Sequence, residues 1–320
     1  MNHNPLSLIQ QHHRVAVISH VNPDGDSLGA TLGLGLALKA LCNEVYMYIN
    51  DKFPSKYSFL PSWQHLANYD LKDRIDFDFC FVLDCGDPTR LGYSQLIFKK
   101  SHKVVNIDHH ISNTKFGNIN IVDSKVSSTC EIIYCLLKDL DIRLNTDIAT
   151  CLYTGITTDT GNFIYDNTTA NTHKVISELM AYNIDLNEIS YGLYQNKSLN
   201  SIKFLGYVLN NMEISLGGKL ATITVTRELI KEFNIDFSEV DGVINYARDI
   251  QGVEIAIMLK EISHNETKIG FRSKNKIDVS KLAQKFGGGG HKKAAGATYY
   301  GSIKEIRSEI EDQIRLDLGW

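Results

Sequence analysis

Short apolar runs alternate with amphipathic helical stretches through the first half of this 320-residue chain. The runs are rich in β-branched and aromatic residues, which is typical of strands, and each ends abruptly in polar residues. We predict strands over residues 15–19, 44–49, 77–83 and 103–107, and helices over residues 27–41, 127–140 and 146–158. Strands and helices that alternate in this way indicate an α/β fold with a doubly wound, mainly parallel sheet.

The second half of the chain has a different pattern, in which strand-like runs follow one another across tight turns. Gly217 and Gly218 lie between two such runs, and a diglycine in this position is a strong hairpin signal. A second pair of runs flanks residues 264–266, and helical patterns cover residues 278–286 and 303–316. We therefore predict a first domain over residues 1–185, a helical connector over residues 186–210 and a smaller α+β domain over residues 211–320.

Composition and charge argue against several classes of protein. The sequence contains no apolar run of about 18 residues that could span a bilayer, and its N-terminus does not resemble a secretion signal. The six cysteines form no C-x-x-C pair and lie mostly in apolar stretches, which favours reduced thiols in the cytoplasm over a disulfide framework. A net charge of −4 argues against a protein that coats long DNA or RNA, but it is compatible with a small anionic substrate.

The first predicted strand ends in the segment S-H-V-N-P-D-G-D-S, residues 19–27. In this segment His20 is followed closely by the two carboxylates of Asp24 and Asp26. Carboxylates this close repel one another unless a cation shares them, and His with Asp is a ligand set for a divalent metal such as Mn²⁺. The alternative is a polar turn that leads into a capped helix, with Asp26 or Ser27 as the N-cap.

The same residue types recur at three further element ends. Asp84 follows the strand over residues 77–83, Asp108-His109-His110 follows the strand over residues 103–107, and Asp159 ends a helix. Each of these residues alone could serve a turn or a cap, but ligands in open α/β sheets bind beyond the carboxyl ends of the strands. The recurrence predicts a site for two metal ions, and Asp84, at the end of a central strand, is placed to bridge them.

A run of four glycines, Gly287 to Gly290, precedes His291 in the second domain. The run is not a Walker A motif, because no Lys-Ser or Lys-Thr pair follows it. We expect Gly288, Gly289 and Gly290 to form a backbone cradle for a phosphate or sugar, with His291 as a further donor. A flexible linker is the alternative.

Three more residues are candidates for contact with a substrate. The planar guanidinium of Arg272 suits a phosphate, and Ser273 beside it offers a hydroxyl group, with a solvated hairpin end as the lesser alternative. Arg90 lies shortly after Asp84 and could contact the substrate or form a structural salt bridge. The aromatic segment over residues 163–165 could stack a base, but packing in the core is the simpler expectation.

The motifs S-H-V-N-P-D-G-D-S, L-D-C-G-D, D-H-H and T-D-T-G, in this order, resemble the four motifs of the DHH phosphoesterase superfamily. Downstream, F-R-S at residues 271–273 and D-V-S-K-L-A-Q-K-F-G-G-G-G-H-K-K-A-A-G at residues 278–296 resemble the DHH-associated C-terminal domain. The resemblance covers nearly the whole chain. Within the superfamily it indicates the NrnA-type group of oligoribonucleases and 3′-phosphoadenosine 5′-phosphate (pAp) phosphatases.

This resemblance implies a role for each residue of the strand-end motifs. One metal ion would be held by His20, Asp24 and Asp84, and the second by Asp26, Asp84, His109 and Asp159. Asp108 would orient the ligand His109, and His110 would face the substrate phosphate rather than a metal ion. The cofactor would be two divalent ions, with Mn²⁺ expected first and Mg²⁺ or Co²⁺ as alternatives.

The resemblance also implies the activity and the place of the active site. Short RNA oligonucleotides and pAp would be hydrolysed in a cleft between the two domains. A linear or cyclic dinucleotide phosphodiesterase would share every metal ligand and stays open as an alternative. A family II pyrophosphatase would share the N-terminal motifs but not the G-G-G-G-H segment. A nucleotide-sensing module without catalysis is the alternative from a different class, and the oligomeric state is open, with a homodimer as one option.

Overall fold

The computed structural model describes residues 4–68, 75–240 and 242–320. The chain divides into two compact units, Met1–Asn196 and Lys197–Trp320. The division falls within residues 186–210, where we predicted a helical connector. Helix α6 (Leu186–Ser190) and a π-helical turn over Tyr191–Gln195 belong to the first unit, whereas α7 (Leu199–Asn210) belongs to the second.

A parallel sheet forms the centre of the first unit. In the described part of the chain it has six strands in the order β3-β2-β1-β4-β5-β6, and every neighbouring pair is parallel. The strands are β1 (Arg14–Ser19), β2 (Glu44–Tyr48), β3 (Leu66–Ala67), β4 (Phe77–Leu83), β5 (Ser101–Asp108) and β6 (Ile119–Val122). This arrangement confirms the predicted α/β class; the short edge strands β3 and β6 are additions that the apolar pattern did not reveal.

Both faces of this sheet are buried, which explains why its strands read as continuous apolar runs. Val15 and Val17 of β1 point into the larger core, whereas Ala16 and Ile18 point into a smaller core on the other face. The helices of this unit are α1 (Gly25–Leu38), α2 (Gln95–Lys99), α3 (Thr129–Asp139), α4 (Thr146–Asp159), α5 (Ala170–Met180) and the short α6.

Helices α1 and α4 pack unusually close together because α1 presents glycines to α4. A Cβ atom added at Gly25 would lie 2.2 Å from Thr158 Oγ1, and one added at Gly29 would lie 2.4 Å from Cys151 O. A Cβ at Gly33 would lie 2.9 Å from Leu152 Cδ2. The start of α1 therefore meets the end of α4, which brings the carboxylates near these two helix ends to the same side of the sheet.

The second unit is built on a mainly antiparallel sheet. In the described residues its strand order is β11-β12-β10-β9-β8-β7, with one parallel pair, β8 with β9. The strands are β7 (Glu213–Ser215), β8 (Leu220–Val225), β9 (Ile255–Ser263), β10 (Glu266–Ser273), β11 (Gly289–His291) and β12 (Ala294–Tyr299). The helices are α7, α8 (Arg227–Phe233), α9 (Val243–Asp249), α10 (Val279–Lys285) and α11 (Ile303–Leu318). The predicted α+β class is confirmed.

Each face of the second sheet has its own apolar core. Ile223 and Met258 pack on the side of α7 and α9, while Ile257 and Phe271 pack on the side of α10 and α11. The parallel pair β8–β9 needs a crossover, which α8 and α9 provide and which the sequence reading missed. Among the described helices of both units, none combines the length and apolar character required to cross a membrane.

Candidate active site

The predicted ligands collect where the strand order of the first sheet reverses direction. The reversal lies between β1 and β4, and in α/β sheets this is the place at which a crevice opens beyond the strand ends. Ser19 is in register with Leu83, so His20 and Asp84 leave the sheet side by side. Leu83 is in turn in register with Ile107 of β5, which brings Asp108 to the same edge.

Asp84 occupies the centre of this group and is almost fully buried. Its backbone is left-handed, with φ of 52°, a conformation that is uncommon outside glycine and often found at functional sites. The side chain reaches in two directions, with Oδ2 3.4 Å from His20 Nε2 and Oδ1 3.6 Å from His109 Nε2. The hydroxyl of Thr129 donates to Oδ1 over 3.1 Å. Asp84 therefore lies between the two halves of the site.

The first half consists of His20, Asp24 and Asp84, whose donor atoms all lie within 4.8 Å of one another. His20 Nδ1 is 2.7 Å from the carbonyl oxygen of Val21, and a hydrogen bond from Nδ1–H would leave the Nε2 lone pair for a metal ion. Asp24 is the N-cap of α1, where Oδ1 accepts from Ser27 N–H over 3.0 Å. The helix thus begins at Gly25, earlier than predicted, and the cap is Asp24 rather than Asp26 or Ser27.

The second half consists of Asp26, His109 and Asp159, again with donor atoms within 4.8 Å. His109 Nε2 lies 3.5 Å from Asp159 Oδ2 and 4.0 Å from Asp26 Oδ2. The buried carboxylate of Asp26 accepts from the backbone N–H groups of Thr129 at 2.7 Å and Cys130 at 3.0 Å. These groups open helix α3, whose N-terminal dipole stabilises negative charge.

We predicted that Asp108 orients the ring of His109, and its described side-chain contacts are with other groups. Asp108 Oδ1 accepts from the backbone N–H of His109 at 2.8 Å and lies 2.6 Å from Nδ1 of His110. Its other oxygen accepts from Asn113 Nδ2 at 2.6 Å. A carboxylate at the end of β5 reaches the ring two residues onward because the chain turns immediately after the strand. Among the described contacts Asp108 is the partner of the His110 ring, and its role in orienting His109 stays a prediction.

The pKa values of the metal-free protein indicate that the buried carboxylates lack sufficient positive charge around them. Burial and the neighbouring Asp84 carboxylate raise the pKa of Asp26 well above its usual range, and burial and Asp26 do the same to Asp159. Burial lowers the pKa of His109, which favours the neutral imidazole that binds metals. Burial also disfavours the charged form of Asp84, but the hydrogen bond to His20 and the nearby imidazoles outweigh burial and lower the pKa of Asp84. Cations that replace the protons would let Asp26 and Asp159 ionise beside it, so the set of two imidazoles and four carboxylates fits two divalent ions.

His110 has the opposite character to His109. Burial opposes its protonation, but the hydrogen bond to Asp108 and the charge of Asp84 outweigh burial and raise the pKa of His110 to about 9. The ring is therefore a cation at neutral pH. It lies beside the carboxylate cluster, with Nδ1 3.5 Å from Asp84 Oδ1, and it can offer a proton or a positive charge to an anion.

Comparison with known proteins assigns the family. A family model described as the DHH family, N-terminal domain, matches residues 14–156, and one described as the DHHA1 domain matches residues 217–316. The chain is 34% identical to the bifunctional oligoribonuclease and PAP phosphatase NrnA of Thermus thermophilus, covering 95% of this chain and 90% of that protein. This chain belongs to the DHH phosphoesterase family.

Two further relatives support this assignment. The NrnA protein of Bacillus subtilis, named for the same two activities, is 30% identical over 88% of both chains. A crystal structure of an exopolyphosphatase-related protein from Bacteroides fragilis superposes with a TM-score of 0.87 at 28% identity, covering 96% of this chain and 94% of that one. DHH phosphoesterases are metal-dependent hydrolases, and this chain is therefore a hydrolase.

Arg90 is exposed and lies at the edge of the candidate metal site, beside His20. Its Nη2 is 3.2 Å from His20 Nδ1, and its carbonyl oxygen accepts from Val21 N–H over 2.8 Å. The guanidinium is exposed to solvent, and the described salt bridges do not include it. This position beside a candidate ligand favours the substrate-contact alternative over the structural salt bridge.

The candidate residues of the DHHA1 domain form a separate group. In register, Arg272 of β10 faces Ala294 of β12, which faces His291 of β11. The side chain of His291 lies outside what the structure describes. Ser273 is buried on the opposite face from Arg272, and its hydroxyl donates to Ile277 O over 2.7 Å. Ser273 thus holds the turn after β10, which makes a direct substrate contact a poor assignment for it.

The glycine run is part of a strand and is not a flexible linker, while its role as a backbone cradle stays a prediction. Gly289 and Gly290 belong to the edge strand β11, paired with Gly296 and Ala295 of β12. Added Cβ atoms would lie 2.1 Å from Gly296 O at Gly288 and 2.6 Å from Ala294 O at Gly290. These two glycines are therefore required by strand packing. Gly289 has open space around its Cβ position, so of the three it is the one placed to admit a ligand.

Sequence reasoning missed four residues that hold the cluster in place. Thr129 and Cys130 position Asp84 and Asp26, Asn113 holds Asp108, and Asn167 donates to Asp159 over 3.3 Å. Each lies outside the four motifs, and a small polar residue has no recognisable spacing of its own. Phe163, by contrast, packs against the large core and lies beside the ring of His173, as expected for a structural aromatic residue.

Proposed function

We propose that this DHH phosphoesterase hydrolyses short RNA oligonucleotides to mononucleotides and removes the 3′-phosphate from pAp at a site for two cations. The observation that carries the proposal is the position of Asp84, whose two oxygens face different ligand groups on either side. A bridging carboxylate is what distinguishes a two-metal phosphoesterase from a single structural metal site.

We assign one ion to His20, Asp24 and Asp84, and the other to Asp26, Asp84, His109 and Asp159. A mixed set of imidazole and carboxylate ligands suits borderline divalent metals, and Mn²⁺ is the first candidate, followed by Co²⁺ and Mg²⁺. Two such ions would supply an activated water and neutralise charge on the phosphoryl oxygens. The remaining chemistry comes from the side chains around them.

His110 and Arg90 are assigned to the substrate. The Asp108 carboxylate fixes the His110 ring through Nδ1, and Nε2–H of the protonated ring would be a second donor. That donor can bind a phosphoryl oxygen or protonate the departing oxygen as the P–O bond breaks. Arg90, at the rim beside His20, suits a second phosphate of the substrate.

The substrate class rests on the relatives and on chemistry that both reactions share. The Thermus and Bacillus proteins are named for activity on oligoribonucleotides and PAP, and their similarity spans both domains of this chain. Arg272 of β10 and Gly289 of β11, which lie on either side of β12, are our assignments for a further phosphate or sugar contact. A cleft between the domains, a cytoplasmic location and a homodimer stay predictions.

The test is turnover of four labelled substrates with Mn²⁺: pAp, a diribonucleotide, cyclic di-AMP and pyrophosphate. We expect hydrolysis of the first two. Preferred hydrolysis of cyclic di-AMP would support the dinucleotide alternative, and preferred hydrolysis of pyrophosphate would overturn the substrate assignment. An Asp84→Ala variant should be inactive, whereas Asp123→Ala should retain activity, because Asp123 also follows a strand but is exposed, with its carboxylate accepting from Lys125 N–H in the described part of the chain. Absence of any hydrolysis would leave binding without catalysis as the better account.

A further inference from the structure

Asn167 lies in the loop between α4 and α5 and makes three contacts from one nitrogen atom. Its Nδ2 is 2.9 Å from Ser127 O, 3.1 Å from Asp159 O and 3.3 Å from Asp159 Oδ2. Oδ2 is also the oxygen that lies 3.5 Å from His109 Nε2. The amide thus contacts the oxygen of Asp159 that faces the second half of the site.

The orientation of this amide is determined by its surroundings. All three neighbours of Nδ2 are oxygens that accept hydrogen bonds, so a flipped amide would place Oδ1 against them. In the orientation observed, Oδ1 is buried and has no hydrogen-bond partner among the described residues. Buried polar atoms are nearly always paired, and leaving one unpaired is unfavourable. The hydrogen bonds of the NH₂ group to Asp159 and Ser127 are therefore present despite the cost of the unpaired oxygen.

The contact with Ser127 connects Asn167 to the second carboxylate of the same cluster. Ser127 directly precedes Ser128, the N-cap of α3, and its hydroxyl donates to Glu131 Oε2 over 2.5 Å. The first turn of α3 supplies the two N–H groups that hold Asp26. Asn167 therefore links Asp159 to the N-terminal segment of α3, whose N–H groups bind the Asp26 carboxylate.

We propose that Asn167 is a positioning residue for the cation held by Asp26, His109 and Asp159. It orients the Asp159 carboxylate and holds it at a constant separation from the N-terminus of α3. The described contacts of Asn167 do not reach His20 or Asp24, so its effect is confined to one of the two ions. This inference rests on the proposed two-metal function.

The test measures Mn²⁺ binding to metal-free protein by calorimetry, with electron paramagnetic resonance to detect coupling between two bound ions. In Asn167→Ala we expect one of the two binding steps to weaken by roughly 10- to 100-fold, the range seen when partners of metal ligands are removed. The other step should be unchanged, and the spectrum at intermediate Mn²⁺ should be that of isolated ions.

Asn171→Ala is the matched control. Asn171 Nδ2 donates to Glu131 Oε1 over 2.7 Å, so this variant loses an amide from the same network without touching Asp159. We expect a lower melting temperature but both wild-type Mn²⁺ affinities. If Asn167→Ala does not fold, Asn167→Ser provides the same test, because a serine hydroxyl is too short to span the three contacts.

Two results would overturn the inference while leaving the two-metal site standing. One is wild-type affinity for both ions in the Asn167 variants. The other is an equal weakening in Asn171→Ala, which would reveal general loosening of the network. If wild-type protein bound none of Mn²⁺, Co²⁺ and Mg²⁺, the proposed two-cation function itself would be wrong, and this inference with it.

Discussion

The strand-end cluster of the first unit and the glycine run of the second were both predicted as parts of the active site, and they differ in what their residues are needed for. Asp26 and Asp84 are buried carboxylates whose placement in a core is costly without a cation. Gly288 and Gly290 are explained by backbone packing alone. A buried charge therefore points to function more directly than a glycine, because a glycine has common structural uses.

The largest expected effect comes from Asp84. Asp84→Asn keeps the shape of the side chain and suits the left-handed backbone, which Asn tolerates as well as Asp does. It removes the bridging negative charge, so kcat/KM for pAp should fall by roughly 10³-fold or more, about 4 kcal/mol of transition-state stabilisation. Steady-state kinetics check the loss, and Asp123→Asn is the control. Activity within a few-fold of wild type would contradict the bridging assignment.

Removal of the metal ions should destabilise the strand-end cluster of the first unit and leave the glycine run of the second unit unchanged. Without cations the carboxylates of the cluster repel one another, and Mn²⁺ at 100 times its Kd should stabilise the folded state by about 2.7 kcal/mol for each ion bound. Hydrogen exchange should slow on Mn²⁺ addition around residues 20–26 and 127–131, and should not change in β11 and β12. Because burial raises the pKa of Asp26, protons compete with the ion, and Mn²⁺ affinity should fall as the pH is lowered.

Equal protection of β11 and β12 on Mn²⁺ addition would contradict the separation of the two regions. Exchange measured with Ca²⁺ in place of Mn²⁺ provides the control, since a hard ion prefers oxygen ligands to the imidazoles of His20 and His109.

A glycine of the first unit offers the next test. A Cβ at Gly155 would lie 2.2 Å from Cys130 Sγ and 2.9 Å from Asp26 Oδ1. Gly155→Ala should therefore cost about 1–3 kcal/mol in the free energy of unfolding and weaken Mn²⁺ binding, because Asp26 is displaced. Gly206→Ala in α7 is the matched control, with nothing within 4 Å of its Cβ position, and should be neutral or slightly stabilising. Denaturant unfolding measures both, and an unaffected Gly155→Ala would show that the helix contact is loose.

The smallest expected effects come from two glycines of the run, and they distinguish a role in strand packing from a role in substrate binding. Gly290 has φ of 141° and no room for a Cβ, so Gly290→Ala should lower stability by about 1–2 kcal/mol. Gly289→Ala meets open space and should change stability by less than about 0.5 kcal/mol. If Gly289 approaches the substrate, KM for pAp should rise in that variant. An unchanged KM would leave the whole run with a structural role only.

Much of the first unit could be predicted because the same apolar runs that mark its strands also mark the strand ends at which the candidate ligands lie. The apolar runs mark buried parallel strands, and the residue that follows each run must lie at the same sheet edge. The short strand β6 and helix α5 were missed because half-buried or mixed segments carry a weak apolar signal. The edge strand β11 was missed for another reason, since a glycine run has no side-chain pattern by which to recognise pairing.

The sequence by itself determined the fold class of both halves, the family, and the identity of the residues that gather at the strand ends, because alternation and strand-end position are local properties. Only the tertiary structure decided that Asp108 pairs with His110, that Ser273 is buried in a turn, and that Asn167 and the N-terminus of α3 hold the second ligand group. The contacts of Asn167 with Ser127 and of the α3 N-terminus with Asp26 join residues far apart in the chain, and the packing of α1, α3 and α4 selects those partners. The contacts of Asp108 and Ser273 are local, but they depend on how the chain turns after its strand, which the residue pattern does not encode.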